Sequence, residues 1–139
     1  MNASYPEKSA WVQLVAMALV FGGYFAIAAS MRASGVTALA AFVPLFAVSV
    51  VLLVVVLVVG HIAAALTGRP QHADERDRLI GWRAEAGASW LLAAGVLASI
   101  TAMLFAVDAF WIAHGLFAAL LASELLKLAL QIAFYRRGV

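Results

Sequence analysis

The sequence predicts an all-α polytopic membrane protein with four transmembrane helices arranged as two hairpins. Of its 139 residues, 66% are hydrophobic and only 12% are charged. Soluble domains are nearer to about 45–50% apolar and about 25% charged, so a water-exposed surface cannot be built from this composition. Four long apolar tracts separate the charged residues, and each is long enough to cross a bilayer core of about 30 Å as a helix. The length predicts one four-helix transmembrane domain spanning residues 1–139.

The first predicted span runs from about residue 10 to residue 29, between Lys8 and Arg32. A cleaved signal peptide is the alternative, with the small residues from Ala26 to Ala28 as its cleavage site. The apolar run of about 20 residues exceeds the roughly 7–15 residues that are typical of a signal-peptide core. We therefore expect a membrane-spanning helix.

The second predicted span runs from about residue 38 to residue 66 and contains VSVVLLVVVLVVG. Its β-branched residues would favour a strand in water. In lipid, backbone groups must pair within the segment, which favours a helix. The span is longer than the bilayer, so we expect it to tilt or project. Pro44 predicts a kink or a late helix start in its outer part.

The third predicted span covers about residues 86–107, and the fourth covers about residues 109–135. Asp108 lies in the short turn between them and is expected to cap the fourth helix. Small residues in the spans predict close helix packing, because they let backbones approach each other in lipid. They are Ala94, Ala98 and Ala102 on one stripe of the third span, Gly87 and Gly95 on a neighbouring stripe, and Gly22 and Gly23 in the first span.

The distribution of basic residues predicts the orientation. Seven flank the spans on the side of the two termini and the charged loop at residues 67–85, and only Arg32 lies on the other side. Because basic residues collect in cytoplasmic loops, we expect a bacterial inner (plasma) membrane protein with both termini cytoplasmic. Residues expected to anchor the spans at the membrane interfaces are Trp11, Trp82, Trp90, Trp111, Tyr135, Arg136 and Arg137.

Charge is concentrated in DERDRLIGWRAE, residues 74–85. Asp74 can cap a helix and Asp77 favours the positive end of its dipole, so we expect a helical extension of the third span. In one interpretation this is a solvated helix end whose arginines fix orientation and touch anionic lipid. In the other it is a docking surface for a cytosolic partner, because anchoring does not require the acidic residues. The docking residues would be Asp74, Glu75, Arg76, Asp77 and Arg78.

The fourth span contains polar residues within its apolar sequence. Glu124, Lys127 and Gln131 fall within an arc of about 60° on one helix face. Ionisable residues inside a membrane are costly and are candidates for function. Three interpretations stay open: a structural ion pair, a transport or proton-handling site, and a Lys127 side chain that reaches towards the interface.

No metal, cofactor or catalytic site is expected. The chain has no cysteine, which excludes thiolate metal sites and iron–sulfur clusters. His61 and His114 lie near opposite membrane faces and His72 lies in the charged loop, so we expect hydrogen-bonding histidines rather than metal or haem ligands. No nucleophile–base pair or phosphate-binding loop is present in the sequence, and we therefore expect a protein that is not an enzyme.

DERDR, residues 74–78, and FWIAHGLFAALLASELLKLALQIAFYRRG, residues 110–138, resemble a family of uncharacterised small bacterial integral membrane proteins with four spans. The resemblance covers residues 74–138, and the first half only by hydropathy and length. Genes of this family often neighbour one for a small helix-turn-helix transcription regulator. The resemblance implies that the DERDR and YRRG segments face the compartment of such a regulator. It also implies a polar residue in the last span, which Glu124 and Lys127 loosely match.

Together these features predict a non-enzymatic membrane protein that acts through its cytoplasmic face. We expect it to be the membrane partner of a cytosolic regulator, without direct contact to nucleic acid. The alternative is a small dimeric transporter that uses the Glu124 and Lys127 face. Four small helices enclose little interior, so we also expect self-association as a dimer.

Overall fold

A computed structural model describes residues 5–67 and 74–137, and this part of the chain forms four long α-helices and no strand. The helices are α1 (Tyr5–Ala33), α2 (Val43–Thr67), α3 (Glu75–Leu104) and α4 (Ala109–Arg137), with a short 3₁₀ helix (Leu39–Phe42) before α2. Each of the four apolar tracts is helical over a length sufficient to cross a membrane. The all-helical prediction is therefore confirmed.

The end of α1 is set by Gly35. This residue adopts the left-handed conformation with φ of 97°, which glycine reaches without steric cost. The Gly35 N–H donates to the Arg32 carbonyl, and the Val36 N–H donates to the Met31 carbonyl, both at 3.1 Å. These two bonds form a Schellman motif, and Val36 packs against the core beside it.

Pro44 acts through a late helix start. The 3₁₀ turn precedes it, and α2 begins at Val43, so that Pro44 lies in the first turn. Backbone N–H groups in a first helical turn have no partner within the helix, and proline loses nothing there by lacking one. The second apolar span therefore consists of a short 3₁₀ helix followed by α2. Of the two expectations for Pro44, the late helix start is confirmed.

The start of α3 confirms the predicted cap. The Asp74 side chain accepts from the Asp77 N–H at 2.8 Å, and the Asp77 side chain accepts from the Asp74 N–H at 3.2 Å. This reciprocal capping box fixes the first turn of α3. Residues 75–85 therefore continue the third apolar span as one helix of 30 residues.

The turn from α3 to α4 is short and repeats the geometry that ends α1. Ala106 takes the left-handed conformation with φ of 53°, and the Val107 N–H donates to the Ala102 carbonyl at 3.0 Å. Asp108 then begins α4, because its Oδ1 accepts from the Phe110 N–H at 2.8 Å. The predicted cap of the fourth helix is confirmed.

The described helices pack in the order α2, α1, α4, α3. The most extensive contact is between α3 and α4, while α1 packs against both α2 and α4. Contact between α2 and α3 is at most marginal. An apolar cavity of about 530 Å³ opens where they do not meet, with Phe42 and Phe46 on the α2 side and Leu92 and Phe117 among its other walls.

Small residues explain part of this arrangement, and two of the predicted ones make no helix contact within the described chain. A Cβ at Gly95 would overlap the Ala119 Cβ, and one at Gly87 would lie 2.9 Å from Leu130 Cδ1, so both glycines mediate α3–α4 contact. Nothing in the described chain lies within 4 Å of a Cβ at Gly22 or Gly23. The reason is that α1 turns Phe21, Tyr24 and Ala28 inward, which leaves Gly22 and Gly23 on its exposed side.

The alanine stripe of α3 is likewise mostly directed away from the rest of the chain. Ala94 and Ala98 are exposed, and Ala102 is half-buried. The buried positions of α3 are Ile80, Ala84 and Ala88, which lie on a different face. The predicted close packing therefore holds for the glycine stripe and not for Ala94 and Ala98 within one chain.

The core lies between α1 and α4 and is aromatic. Its buried residues are Phe21, Tyr24, Ala28, Phe42 and Phe110. Ring centroids of Phe21 and Phe117 are 5.0 Å apart in an edge-to-face contact, and those of Phe42 and Phe110 are also 5.0 Å apart. Such pairs stabilise beyond the area that they bury. The outward face of α2, by contrast, consists of exposed valine, leucine and isoleucine side chains, which suits contact with lipid.

Candidate functional site

The first turns of α1 and α3 and the last turns of α4 meet at one end of the helices, which we call the charged end. A polar crevice of about 270 Å³ lies between them, lined by Ser9 of α1, Asp77 of α3, and Gln131 and Tyr135 of α4 among others. The Tyr135 side chain lies beside Asp77 in this crevice. Gln131 therefore faces the crevice, and Tyr135 lies where the end of α4 meets the start of α3.

A second link at the charged end joins the first helix to the last. Arg136 Nε donates to Glu7 Oε1 at 3.1 Å. The same guanidinium lies over the Trp11 ring, 5.5 Å from its centroid. Arg136 and Trp11, which the sequence marked as independent anchors, thus form one cluster with Glu7, and Arg137 beside them is exposed.

The five predicted docking residues divide into two groups in the structure. Asp74 and Asp77 form the capping box, and Asp77 also lies beside Tyr135 in the polar crevice. Glu75, Arg76 and Arg78 are exposed and make no side-chain hydrogen bond or ion pair that the described contacts show. The capping box therefore accounts for two of the three acidic residues, and it holds the other three side chains on a rigid helical turn.

The remaining anchor candidates project outward. Trp82, Trp90 and Trp111 are 71%, 60% and 60% exposed. Trp82 and Trp90 are on α3, and Trp111 is on the first turn of α4 at the end opposite the charged end. Indole rings at these positions suit the amphipathic headgroup region of a bilayer.

Lys127 lies in a cluster of three charges. It pairs with Glu124 on its own helix and with Glu85 of α3, whose Oε2 is 3.4 Å from Lys127 Nζ. The sequence did not predict the contact of Lys127 with Glu85, because Glu85 is distant from Lys127 in sequence and was assigned to the charged loop. The Lys127 side chain is 21% exposed, whereas that of Glu85 is 62% exposed. The cluster therefore bridges α3 and α4 with one end open to the surroundings.

Helix geometry gives the depth of this cluster. With a rise of 1.5 Å per residue, Lys127 lies about 27 Å along α4 from Ala109, and Glu85 lies about 28 Å along α3 from Leu104. Both distances are close to the thickness of a bilayer core, about 30 Å. If the α3–α4 turn lies at one boundary of the core, the cluster lies near the other boundary.

The two described histidines are hydrogen-bonded. His114, which is 8% exposed, has Nε2 3.0 Å from the Tyr24 hydroxyl and Nδ1 2.9 Å from the Phe110 carbonyl. His61 Nε2 is 3.0 Å from Ser9 Oγ, and its Nδ1 is 2.7 Å from the Leu57 carbonyl. Each ring bonds a carbonyl one turn earlier and a hydroxyl of α1. The expectation of hydrogen-bonding histidines is confirmed for these two, and His72 lies outside the described residues.

No group of three or more His, Asp or Glu side chains within residues 5–67 and 74–137 has a geometry that could hold a metal ion. The ring nitrogens of His114 and His61 are already occupied by the bonds above.

The hydrogen bonds of these polar side chains join helices to one another. Tyr24 with His114 joins α1 to α4, Ser9 with His61 joins α1 to α2, and the Ser123 hydroxyl donates to the Ala88 carbonyl of α3 at 3.1 Å.

The end opposite the charged end contains an ion pair that the sequence did not suggest. Arg32 Nη2 of α1 is 3.5 Å from Asp108 Oδ2, at the cap of α4. The Arg32 guanidinium also lies over the Phe110 ring, 5.1 Å from its centroid. Arg32 and Asp108 are the two charged residues predicted on that side of the membrane, and this was the only sign of the pair in the sequence. The two residues are 76 positions apart.

Comparisons of this chain with family models, with curated proteins and with solved structures found no match. The resemblance of residues 74–138 to the small four-span family remains a prediction. Function is therefore argued below from the arrangement of the side chains.

Proposed function

We propose that this chain is a non-enzymatic inner-membrane protein whose charged end faces the bacterial cytoplasm and binds a cytosolic protein, namely a transcription regulator. The excess of basic residues on this side supports the orientation. The four membrane-compatible helices support insertion as a multi-pass protein. The resemblance in the second half of the sequence supports the type of partner.

The observation that carries this proposal is the first turn of α3. Glu75, Arg76 and Arg78 are exposed on a turn whose geometry the Asp74–Asp77 capping box fixes. A fixed surface with charges of both signs favours pairing with a particular protein partner over bulk attraction to anionic lipid. Rigid presentation also lowers the entropy lost on binding. These three residues, rather than all five of the segment, would make the contact.

The test exchanges the two neighbouring charges without disturbing the helix. In the variant Glu75→Arg with Arg76→Glu, the net charge and the capping box stay unchanged. We expect a stoichiometric soluble partner to co-purify with the wild-type protein from native membranes in mild detergent and to be lost from this variant. A matched control is Arg137→Gln, an exposed charge at the same end, which should retain the partner.

Binding to lipid alone gives a different result. Vesicles of anionic lipid respond to net charge, so the charge-exchanged variant should bind them as the wild type does. If the wild-type protein brings down no soluble partner, or if the charge exchange leaves the partner bound, the docking proposal is wrong. The segment would then serve as an anchor that fixes orientation.

The second candidate is a small dimeric transporter that uses the Glu124 and Lys127 face. The cluster with Glu85 is the feature in its favour, because charged groups near a bilayer core are rare outside functional sites. We rank it second because Lys127 contacts a carboxylate on each of two helices, as expected of an element that holds α3 against α4. Uptake or efflux that is lost in Glu124→Gln and retained in the charge-exchanged variant would reverse this ranking.

Self-association as a dimer is part of the proposal. Ala94 and Ala98 form a ridge of small residues that is exposed in the single chain, and such ridges favour close helix contact in lipid. Replacing both by isoleucine should shift a dimer to monomer in cross-linking of native membranes. The same change at the exposed Val54 and Val58 of α2, which are not small residues, serves as the control.

A further inference from the structure

A small pocket lies at the end opposite the charged end, between the last turns of α1 and the first turns of α4. Its volume is about 320 Å³. Three alanines of α1, at positions 28, 29 and 33, leave the space, and Phe25, Phe110 and Trp111 provide aromatic walls. Arg32 and His114 are the polar residues of the lining.

The Arg32 guanidinium is only partly satisfied. Its Nη1 is buried and, among residues 5–67 and 74–137, has no hydrogen-bond partner. Its Nη2 contacts Asp108 Oδ2 at 3.5 Å, which is long for a charge-assisted hydrogen bond. A buried donor without an acceptor is unfavourable, because it has lost its hydrogen bonds to water without gaining one from the protein.

The other polar groups of the pocket do not meet this need. His114 already bonds Tyr24 through Nε2 and the Phe110 carbonyl through Nδ1. Asp108 Oδ1 accepts from the Phe110 N–H, which caps α4. An additional acceptor would therefore have to come from outside the described chain.

We propose that this pocket binds a phosphate oxyanion at the Arg32 guanidinium, whose side chain lines the pocket and is 24% exposed. The phosphate would be supplied either by a phospholipid head group or by free phosphate. An arginine fork matches two phosphate oxygens, and the planar guanidinium is already positioned by the Phe110 ring. Trp111 beside it is 60% exposed and lies at a level where an indole ring suits the membrane headgroups. The alanines leave room for the group to which the phosphate is esterified.

Removing the charge of Asp108 should change anion affinity in the direction opposite to removing the charge of Arg32. Its carboxylate competes with the anion for the same guanidinium and repels it. Asp108→Asn keeps an oxygen acceptor for the Phe110 N–H, so the cap of α4 persists while the negative charge is removed. Anion affinity should therefore rise in Asp108→Asn and fall in Arg32→Gln.

The experiment uses the full chain in a neutral detergent, with Trp11, Trp82 and Trp90 replaced by phenylalanine. Trp111 then reports on its own pocket by fluorescence. The protein is titrated with a short-chain phosphatidylglycerol and, separately, with inorganic phosphate. We expect saturable binding of the lipid, about tenfold or more weaker in Arg32→Gln and several-fold tighter in Asp108→Asn.

The two titrations identify the source of the phosphate. Saturation by the lipid alone assigns the site to a phospholipid head group, and saturation by both assigns it to soluble phosphate as well. Circular dichroism and gel filtration show whether Arg32→Gln is folded, and Asp108→Asn provides an independent test if it is not. No saturable response to either probe, or affinities that neither variant changes, would overturn the proposal.

Discussion

The α1–α2 and α3–α4 pairs are joined in different ways, although both consist of long apolar helices. The α3–α4 contact combines close backbone approach at Gly95, a hydroxyl bond from Ser123 to Ala88, and the ion pair of Lys127 with Glu85. The α1–α2 contact has a polar link from Ser9 to His61 and a close approach at Gly60. Yet α2 has the highest hydropathy of the four helices.

The lesson of this comparison is that hydrophobicity does not decide which helices pack in a membrane. Lipid solvates an apolar side chain about as well as a neighbouring helix does. Small residues and polar links supply the preference instead, and they are richer between α3 and α4. Helix α2, which is the most apolar, is attached on one side to α1 and borders the open cavity on another.

The largest expected effect comes from overfilling the α3–α4 contact. In Gly95→Leu the new side chain meets Ala119, whose Cβ cannot rotate away, so the helices must separate. We expect a loss of about 3 kcal/mol in the free energy of unfolding, measured by SDS titration in mixed micelles with circular dichroism.

Two matched variants sharpen that result. In Gly60→Leu on α2, the obstacle is the end of the Val12 side chain, so the loss should be smaller. In Gly115→Leu on α4, no described atom lies within 4 Å of the added Cβ, and stability should change little. Equal losses at all three glycines would mean that the close approach of α3 and α4 does not matter.

A middle-sized effect is expected at the charge cluster. Lys127→Met leaves Glu124 and Glu85 facing each other without their cation, and we expect a loss of about 1–2 kcal/mol because the groups are partly exposed. Adding Glu85→Gln and Glu124→Gln should restore most of it. The same SDS titration measures both variants, and no recovery in the triple variant would contradict an electrostatic origin.

The smallest effect concerns the two hydroxyl–histidine links of α1. Tyr24→Phe removes the buried bond to His114, and we expect a cost of about 0.6 kcal/mol, typical of hydrogen bonds between membrane helices. Ser9→Ala removes the partly buried bond to His61 and should cost less. A larger loss of stability in Ser9→Ala than in Tyr24→Phe would mean that the α1–α2 link contributes more than the α1–α4 link, contrary to this prediction.

Local features of the fold were predictable because they depend on a few neighbouring residues. The caps at Asp74 and Asp108 and the late start at Pro44 each follow from side-chain chemistry within one helical turn. Helix number and length followed from the apolar tracts, because lipid requires a backbone that pairs with itself.

The neighbour relations of the helices were not predictable in the same way. In water an apolar stripe shows which face is buried, but here the faces towards lipid and towards the core are both apolar. The inward position of Phe21 and Tyr24, and the outward position of Gly22 and Gly23, therefore had no signal in the sequence. The partners of Lys127 and Arg32 on other helices depend on that packing and were missed with it.

The contact between Tyr24 and His114 joins positions 90 residues apart, in the first and the last helix. At a synthesis rate of about 5–20 residues per second, α1 is exposed to the bilayer for about 5–18 seconds before its partner has been made. During that interval the Tyr24 hydroxyl lacks its native partner. Completion of the core is thus a late event in the biogenesis of this protein, and truncation within α4 should leave α1 inserted and packed on α2 but without its contacts to α4.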